Sequence, residues 1–398
     1  MNWLETNSYL KGIINNLGKI HDPIRIAGFD LDDTLICKSK DKNKKWKLLD
    51  SSIKNKILEL VDNKYIIIIF TNQGGMSLNK NFDKITWRKA VDDLIKIFIS
   101  NLNTNEYYFA VYAAKTYDLY RKPNTGLWNL MKNDLKDEFS LKKIRISNKS
   151  FFCGDAAGRI SPSFFKKKIN PSSNKGDFSD TDRKFAINIG IDFITPEEFL
   201  LEKSDNSEYK LEGIIPSEFI KTHKFKNYTF EPRKKEMIIL IGPPGSGKSY
   251  FTRKYILPHN YVYINRDTCK TKIKCINETK KALTENKSVV IDNTNPDVLS
   301  RMEYTSFAKD NGYKNIRAII INTDDKLYKH LNNVRHIYSN GDIPKVSDIA
   351  YRIYKNKYIS PQKTEGFDKI ETVNFIIEND NFNDPKWVSA FNKLSEYK

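Results

Sequence analysis

A chain of 398 residues is too long for one ordinary hydrophobic core and comfortable for two. Hydrophobic residues make up 39% and aromatic residues 12%, enough to bury real cores, which argues against wholesale disorder. Lysine and arginine outnumber aspartate and glutamate by 67 to 49, and the resulting +18 favours a polyanionic partner, nucleic acid or an acidic membrane face.

In chain order, residues 1–19 lack the apolar run of a signal peptide and carry mixed charges. A first buried strand is predicted over Ile24–Phe29, followed at once by the acids Asp30, Asp32 and Asp33 with Thr34. A helical pattern at Ser51–Val61 leads to a second strand at Tyr65–Phe70, which runs into Thr71-Asn72-Gln73-Gly74. Another helical pattern covers Trp87–Asn101, and a third strand is expected at Tyr107–Tyr112. After it come Tyr120-Arg121-Lys122-Pro123 and a short strand, Phe151–Cys153, ending in Gly154-Asp155-Ala156-Ala157-Gly158-Arg159. Lys166–Lys175 reads as a basic loop, with nucleic-acid contact as its alternative. Residues 203–232 are polar and poor in apolar runs, so the expected division is a first domain over 1–202, a linker over 203–232 and a second domain over 233–398.

In the second half the predicted strands are Met237–Ile241, Tyr261–Ile264, Val289–Ile291 and Ile316–Ile321. Strands alternating with helices imply mostly parallel sheets with right-handed crossovers, so each half is expected to be an α/β domain with helices flanking its sheet. No apolar run is long enough to span a bilayer, and Cys37, Cys153, Cys269 and Cys275 lack the spacing of a zinc site. The chain is thus expected to be soluble, intracellular and free of membrane contact.

The sharpest motif follows the strand at Met237–Ile241. Gly242-Pro243-Pro244-Gly245-Ser246-Gly247-Lys248-Ser249 matches G-x-x-x-x-G-K-[ST] in the strand-to-helix setting that this P-loop requires. Its glycines, Gly242, Gly245 and Gly247, let backbone N–H groups, with that of Ser246 among them, wrap phosphates. Lys248 would reach the β- and γ-phosphates of ATP, and Ser249 would ligate magnesium. Asp292 ends an apolar strand, as in a Walker B element. Asp267 follows another strand, where it is either a base for a hydroxyl nucleophile or a helix N-cap. Arg335 is a candidate lid arginine or an ordinary surface residue.

In the first half, acids clustered at a strand end make sense when a cation and a phosphate come between them. Asp30-x-Asp32-x-Thr34 resembles the haloacid dehalogenase superfamily, and Thr71, Lys122 and Asp155 follow in that superfamily's order. The resemblance implies that Asp30 is the nucleophile forming an aspartyl-phosphate and that Asp32 is the acid and then the base. It implies further that Thr71 bonds the phosphoryl oxygens, that Lys122 neutralises charge, and that Asp30, Asp32 and Asp155 hold Mg²⁺.

Together the segments Arg121–Trp128, Gly154–Arg159, Asp177-Phe178-Ser179, Asn265–Thr268, Asp292–Asp297 and Thr364–Phe367 resemble the polynucleotide kinase 3′-phosphatase family, phosphatase first and kinase second. The implied function is healing of DNA strand ends in repair: removal of a 3′-phosphate and ATP-dependent phosphorylation of a 5′-hydroxyl. RNA end healing is the alternative. The resemblance raises Asp267 to the base that activates the 5′-hydroxyl and Arg335 to a lid arginine, and it leaves the roles of Asp177 and Asp182 open.

Two departures stand out. Asp33 occupies a position where the family usually has glycine, and only about twenty residues precede the first predicted strand, too few for the family's phosphopeptide-docking forkhead-associated domain. A monomer is expected, in the nucleus ahead of the cytoplasm. The basic charge suits sequence-blind phosphate contact. Candidate strand-tracking groups are Lys44, Lys45 and Lys47 around Trp46, and Lys166–Lys168 after Phe164 and Phe165.

Overall fold

The computed structural model describes residues 1–41, 45–79, 82–222, 228–374 and 379–397. The chain divides into two compact units, Met1–Ile215 with Lys393–Lys398, and Pro216–Asn392. This division departs from the expected limits at both ends of the proposed linker. Residues 203–215 belong to the first unit because backbone bonds hold them there, from Ile160 N to Glu208 O (3.1 Å) and from Lys210 N to Gly158 O (2.9 Å). The final residues of the chain also return to the first unit, which nothing in their composition announces.

The strands of the first unit are β1 (Asn2–Glu5), β2 (Tyr9–Asn15), β3 (Arg25–Phe29), β4 (Ile36–Lys38), β5 (Trp46–Leu48), β6 (Tyr65–Asn72), β7 (Tyr108–Ala114), β8 (Phe151–Cys153) and β9 (Asp192–Ile194). Seven of them form a sheet in the order β1-β2-β7-β6-β3-β8-β9. From β7 to β9 the neighbours are parallel, and β1 and β2 add an antiparallel edge. β4 and β5 pair as a separate ribbon. The hairpin β1–β2 corrects the expectation that the stretch before residue 24 carries no strand. Its alternation is real but weak: only Leu10 and Gly12 are buried on β2, and Trp3 covers Gly12 so closely that a Cβ there would lie 2.7 Å from the indole.

The helices form where periodicity predicts. Ile53–Asp62 buries Ile53, Ile57 and Val61, spaced four apart on one face. Lys84–Ile99 buries Val91, Leu94, Ile95 and Phe98, and its N-cap Asp83 accepts from Thr86 N at 2.9 Å. Because β3 pairs with β6 on one side and β8 on the other, successive crossovers leave β3 in opposite directions. The residue after Phe29 therefore stands where ligands bind in open α/β sheets.

The second unit has β10 (Glu236–Ile241), β11 (Val262–Ile264), β12 (Val289–Ile291), β13 (Asn315–Asn322) and β14 (Lys369–Asn374). All neighbours are parallel in the order β11-β12-β10-β13-β14. β10 is buried along its whole length, as a central parallel strand must be. It too stands where the strand order reverses, with β12 and β13 on its two sides. Arg301 and Glu365, 0% and 4% exposed, form a bidentate pair at 2.7 and 2.9 Å. The same guanidinium donates to the carbonyls of Asn295 and Pro296 and so pins the segment that follows β12. Removing one partner of a buried pair strands the other charge at a cost of about 3–5 kcal/mol. Arg301→Ala is expected to lower the unfolding free energy of the second unit by that amount, read from the shift of its urea midpoint, while the unfolding of the first unit is unchanged.

Candidate active sites

β3 ends at Phe29, and Asp30 N continues the ladder to Cys153 O on β8 at 2.8 Å, which fixes the Asp30 side chain at the carboxyl edge of the sheet. Lys122 Nζ donates to Asp30 Oδ1 at 2.6 Å and to Asp182 Oδ1 at 2.7 Å, and the lysine is 1% exposed. Its backbone is held by Asn72: Lys122 N donates to Asn72 Oδ1 at 2.9 Å, and Asn72 Nδ2 donates to Lys122 O at 3.1 Å. Gln73 Nε2 bridges Asp32 Oδ2 (2.7 Å) and the buried Thr71 hydroxyl (3.0 Å). The Asp155 amide donates to Thr34 Oγ1 at 3.1 Å. Asp30, Asp32, Thr71, Lys122 and Asp155 are thus all held at this one sheet edge.

Among the described residues, oxygens of Asp30, Asp155 and Asp182 lie within 4.8 Å of one another. This carboxylate cluster includes Asp182, which the expected magnesium set did not name, whereas the Asp32 carboxylate turns to Gln73. Asp182 sits early in the helix Thr181–Ile189 and accepts from Ala156 N at 3.1 Å. Gly154 makes room for it, since a Cβ there would lie 2.4 Å from Asp182 Oδ2. Asp182 stands 27 residues past Asp155 in the sequence, too far for spacing to reveal the pairing.

Burial raises the Asp155 carboxyl well above the usual carboxylate range, and the neighbouring acids Asp182 and Asp30 add to this. Asp30 is raised by burial as well, with Lys122 opposing and Asp182 and Asp32 reinforcing. Burial works against the charge on Lys122, but the two carboxylates outweigh it and hold the ammonium protonated. Three carboxylates facing one ammonium leave an excess of negative charge that a divalent cation with hard oxygen ligands would balance. The donor set suits Mg²⁺.

Asp177 is not part of this cluster. It accepts from Arg159 Nε (2.8 Å) and from the amides of Arg159 (3.0 Å) and Ala157 (3.3 Å). Arg159 also donates to Glu197 at 2.6 Å, Asp205 at 3.1 Å and the carbonyl of Asp155 at 3.2 Å, so Asp177 and Arg159 shape the loop that carries Asp155. At Asp33, φ is 55°, in the left-handed region. Glycine takes that conformation freely and aspartate tolerates it, which reconciles the departure at this position.

In the second unit the P-loop joins β10 to the helix that opens at Lys248. Gly245 and Gly247 have φ of 76° and 93°, and a Cβ on Gly242 would lie 2.9 Å from Ser246 Oγ. Lys248 Nζ donates to the carbonyls of Gly242 (2.9 Å) and Pro243 (2.7 Å), curling over the loop. Burial pushes its pKa down to about 8; Asp292 and Asp267 oppose the shift, and Arg335 adds to it. A phosphate group arriving there restores a full counter-charge to the ammonium.

Asp292 is oriented by two residues that sequence reading missed. Tyr263 donates to Asp292 Oδ2 at 2.7 Å, and Asn265 Nδ2 donates to Asp292 O at 2.7 Å. Tyr263 and Asn265 lie on and just past β11, a spacing that carries no signature. The capping role weighed for Asp267 belongs to Asn265, whose Oδ1 accepts from Asp267 N at 2.8 Å and leaves the Asp267 carboxylate exposed. Arg335 lies on the helix Asp325–Tyr338 and donates to Asn332 Oδ1 at 3.3 Å.

The proposed strand-tracking groups divide. Phe165 is buried in the first unit's core, so only Phe164 of that pair faces outward. Lys168 pairs with Asp50 at 3.0 Å, and Lys166 donates to Gly176 O. Lys47 and Trp46 lie on β5; Lys44 lies outside the described residues. No helix among the described residues is long and apolar enough to cross a membrane.

Each unit is an α/β fold whose motif-bearing strand lies inside a mostly parallel sheet. Among profiles of known families, the one described as Polynucleotide kinase 3 phosphatase matches residues 25–200, and one described as AAA domain matches 237–348. A protein of Acanthamoeba polyphaga mimivirus, provisionally described as a bifunctional polynucleotide phosphatase/kinase, is 65% identical over 100% of this chain and 96% of its own. The Schizosaccharomyces pombe bifunctional polynucleotide phosphatase/kinase is 32% identical over 91% of this chain and 82% of its own. The chain belongs to the bifunctional polynucleotide phosphatase/kinase family.

Gly154→Ala is expected to displace Asp182 and cut phosphate release by the first unit about 100-fold, with the second unit's phosphotransfer intact, in steady-state assays. Tyr263→Phe, which removes one oriented hydroxyl, is expected to lower phosphotransfer by roughly 10-fold and to raise the magnesium concentration it requires.

Proposed function

We propose that the first unit removes the 3′-phosphate of a DNA strand end and that the second phosphorylates a 5′-hydroxyl with ATP. The observation that carries the first half is the meeting of Asp30, Lys122, Asp155 and Asp182 at one sheet edge. In this reading an Asp30 carboxylate oxygen attacks phosphorus and the bond to the 3′-oxygen breaks. Asp32 gives its proton to the leaving oxygen. Water then attacks the aspartyl-phosphate, Asp32 takes the proton, and inorganic phosphate leaves with Asp30 restored. Asp32 suits this task because it stands exposed at the sheet edge beside Asp30, where Gln73 holds its carboxyl group in place. Lys122 and Thr71 face the phosphoryl oxygens. Asp30, Asp155 and Asp182 would hold Mg²⁺, which supplies charge neutralisation when bound.

For the second half, Asp267 accepts the proton of the 5′-hydroxyl, and its oxygen attacks the γ-phosphorus of ATP with ADP leaving. The amides of residues 242–249 and Lys248 cradle the phosphates, and Arg335 adds positive charge beside them. Ser249 and Asp292, the latter oriented by Tyr263, would hold the Mg²⁺ of the nucleotide. The net charge of +18 supports a polynucleotide over a small phosphate ester.

A labelled oligonucleotide with 5′-hydroxyl and 3′-phosphate ends, incubated with magnesium and with or without ATP, tests both halves. Asp30→Asn is expected to abolish 3′-phosphate release and to leave 5′-phosphorylation within about twofold, and Lys248→Ala is expected to do the reverse. Equal loss of both activities in either variant would refute two independent sites. Faster turnover on an RNA stem than on a nicked DNA duplex with matched ends would favour RNA healing instead.

A further inference from the structure

The chain leaves the first unit at Ile215 and comes back to it at Lys393. The returning residues dock beside the phosphatase site. Asn188, on the helix that carries Asp182, accepts from Leu394 N at 2.8 Å and donates to Leu394 O at 2.9 Å. The same side-chain amide donates to Pro123 O at 2.8 Å, one residue past Lys122. Lys184, also on that helix and fully buried, donates to Ser395 O at 3.0 Å and pairs with Asp180 at 2.8 Å. Glu396 receives a two-pronged ion pair from Arg121, the residue before Lys122, at 2.9 and 3.1 Å. These two side chains are only 11% and 12% exposed, which removes much of the solvent screening that weakens surface pairs. Arg121 also lies over the Tyr117 ring at 4.2 Å.

The tail therefore touches both backbone segments whose side chains meet at Asp30. One is Arg121-Lys122-Pro123, and the other is the helix Thr181–Ile189 with Asp182 near its start. We propose that residues 393–396 are a positioning element of the phosphatase site, supplied from the far end of the chain. They clip the turn bearing Lys122 against the helix bearing Asp182, so that the ammonium stays within reach of both carboxylates. Glu396 and Asn188 do this without touching the reacting atoms. The inference rests on the roles proposed above for Lys122 and Asp30.

The decisive comparison uses the full chain and its Glu396→Ala and Glu396→Gln variants, assayed for 3′-phosphate release and 5′-phosphorylation, with thermal unfolding recorded for each. Loosening a catalytic group by a fraction of an ångström costs roughly tenfold or more in turnover. Glu396→Ala is expected to lower kcat for 3′-phosphate release about tenfold, with KM within about twofold and 5′-phosphorylation unchanged. Glu396→Gln, which keeps an acceptor for Arg121, is expected to recover part of the loss. Unchanged kcat in Glu396→Ala would overturn the proposal, as would a loss seen in KM alone. A fall in kcat that only tracks a lower unfolding midpoint and vanishes at low temperature would reduce the tail to a structural prop and overturn it as well. If the unaltered chain releases no 3′-phosphate, the phosphatase reading fails and takes this inference with it; activity in that chain with no effect of Glu396→Ala sinks the inference alone.

Discussion

Lys122 carries the phosphatase unit's central constraint. An ammonium 1% exposed, within 2.6 Å of Asp30 and 2.7 Å of Asp182, is what allows acids to gather at a buried sheet edge at all. Without it, the carboxylates of Asp30, Asp155 and Asp182 would face one another with no positive charge between them. Much of the surrounding structure serves to hold that nitrogen in place. Asn72 clamps its backbone, Gly154 yields space for Asp182, and Asn188 ties the following proline to the helix behind it.

The second unit solves a related problem with different parts. Its buried cation, Lys248, is held by the carbonyls of its own loop. Burial lowers its pKa, so the site awaits a polyanion where the first unit awaits a cation between its acids. Both motifs follow the strand from which crossovers diverge, β3 in one unit and β10 in the other. That shared placement reflects sheet topology: only there do the loops on either side part and leave a crevice.

Much of the site was legible because its chemistry is local. Asp30 and Asp32 follow a buried strand, and the P-loop is a contiguous run whose glycines satisfy a backbone need visible in the sequence, as the φ values of Gly245 and Gly247 bear out. Strand cores were readable for the same reason, since continuous apolar runs such as Met237–Ile241 have few other homes. The hairpin β1–β2 escaped notice because it is half exposed and polar, with little burial to impose a period on its residues.

The amino-acid sequence alone determined two α/β halves, the acids Asp30 and Asp32 at the end of a buried strand, and the glycine loop at Gly242–Ser249, because each depends on residues adjacent along the chain. Tertiary structure decided which distant groups complete them. Asp182 joins Asp155 only through the approach of a helix to Gly154, Tyr263 reaches Asp292 only across neighbouring strands, and residues 393–396 reach Arg121 and Asn188 only because the chain returns to the first unit. A contact between residues far apart in the chain leaves no period, spacing or composition in the sequence, since it exists only once the backbone has closed the distance.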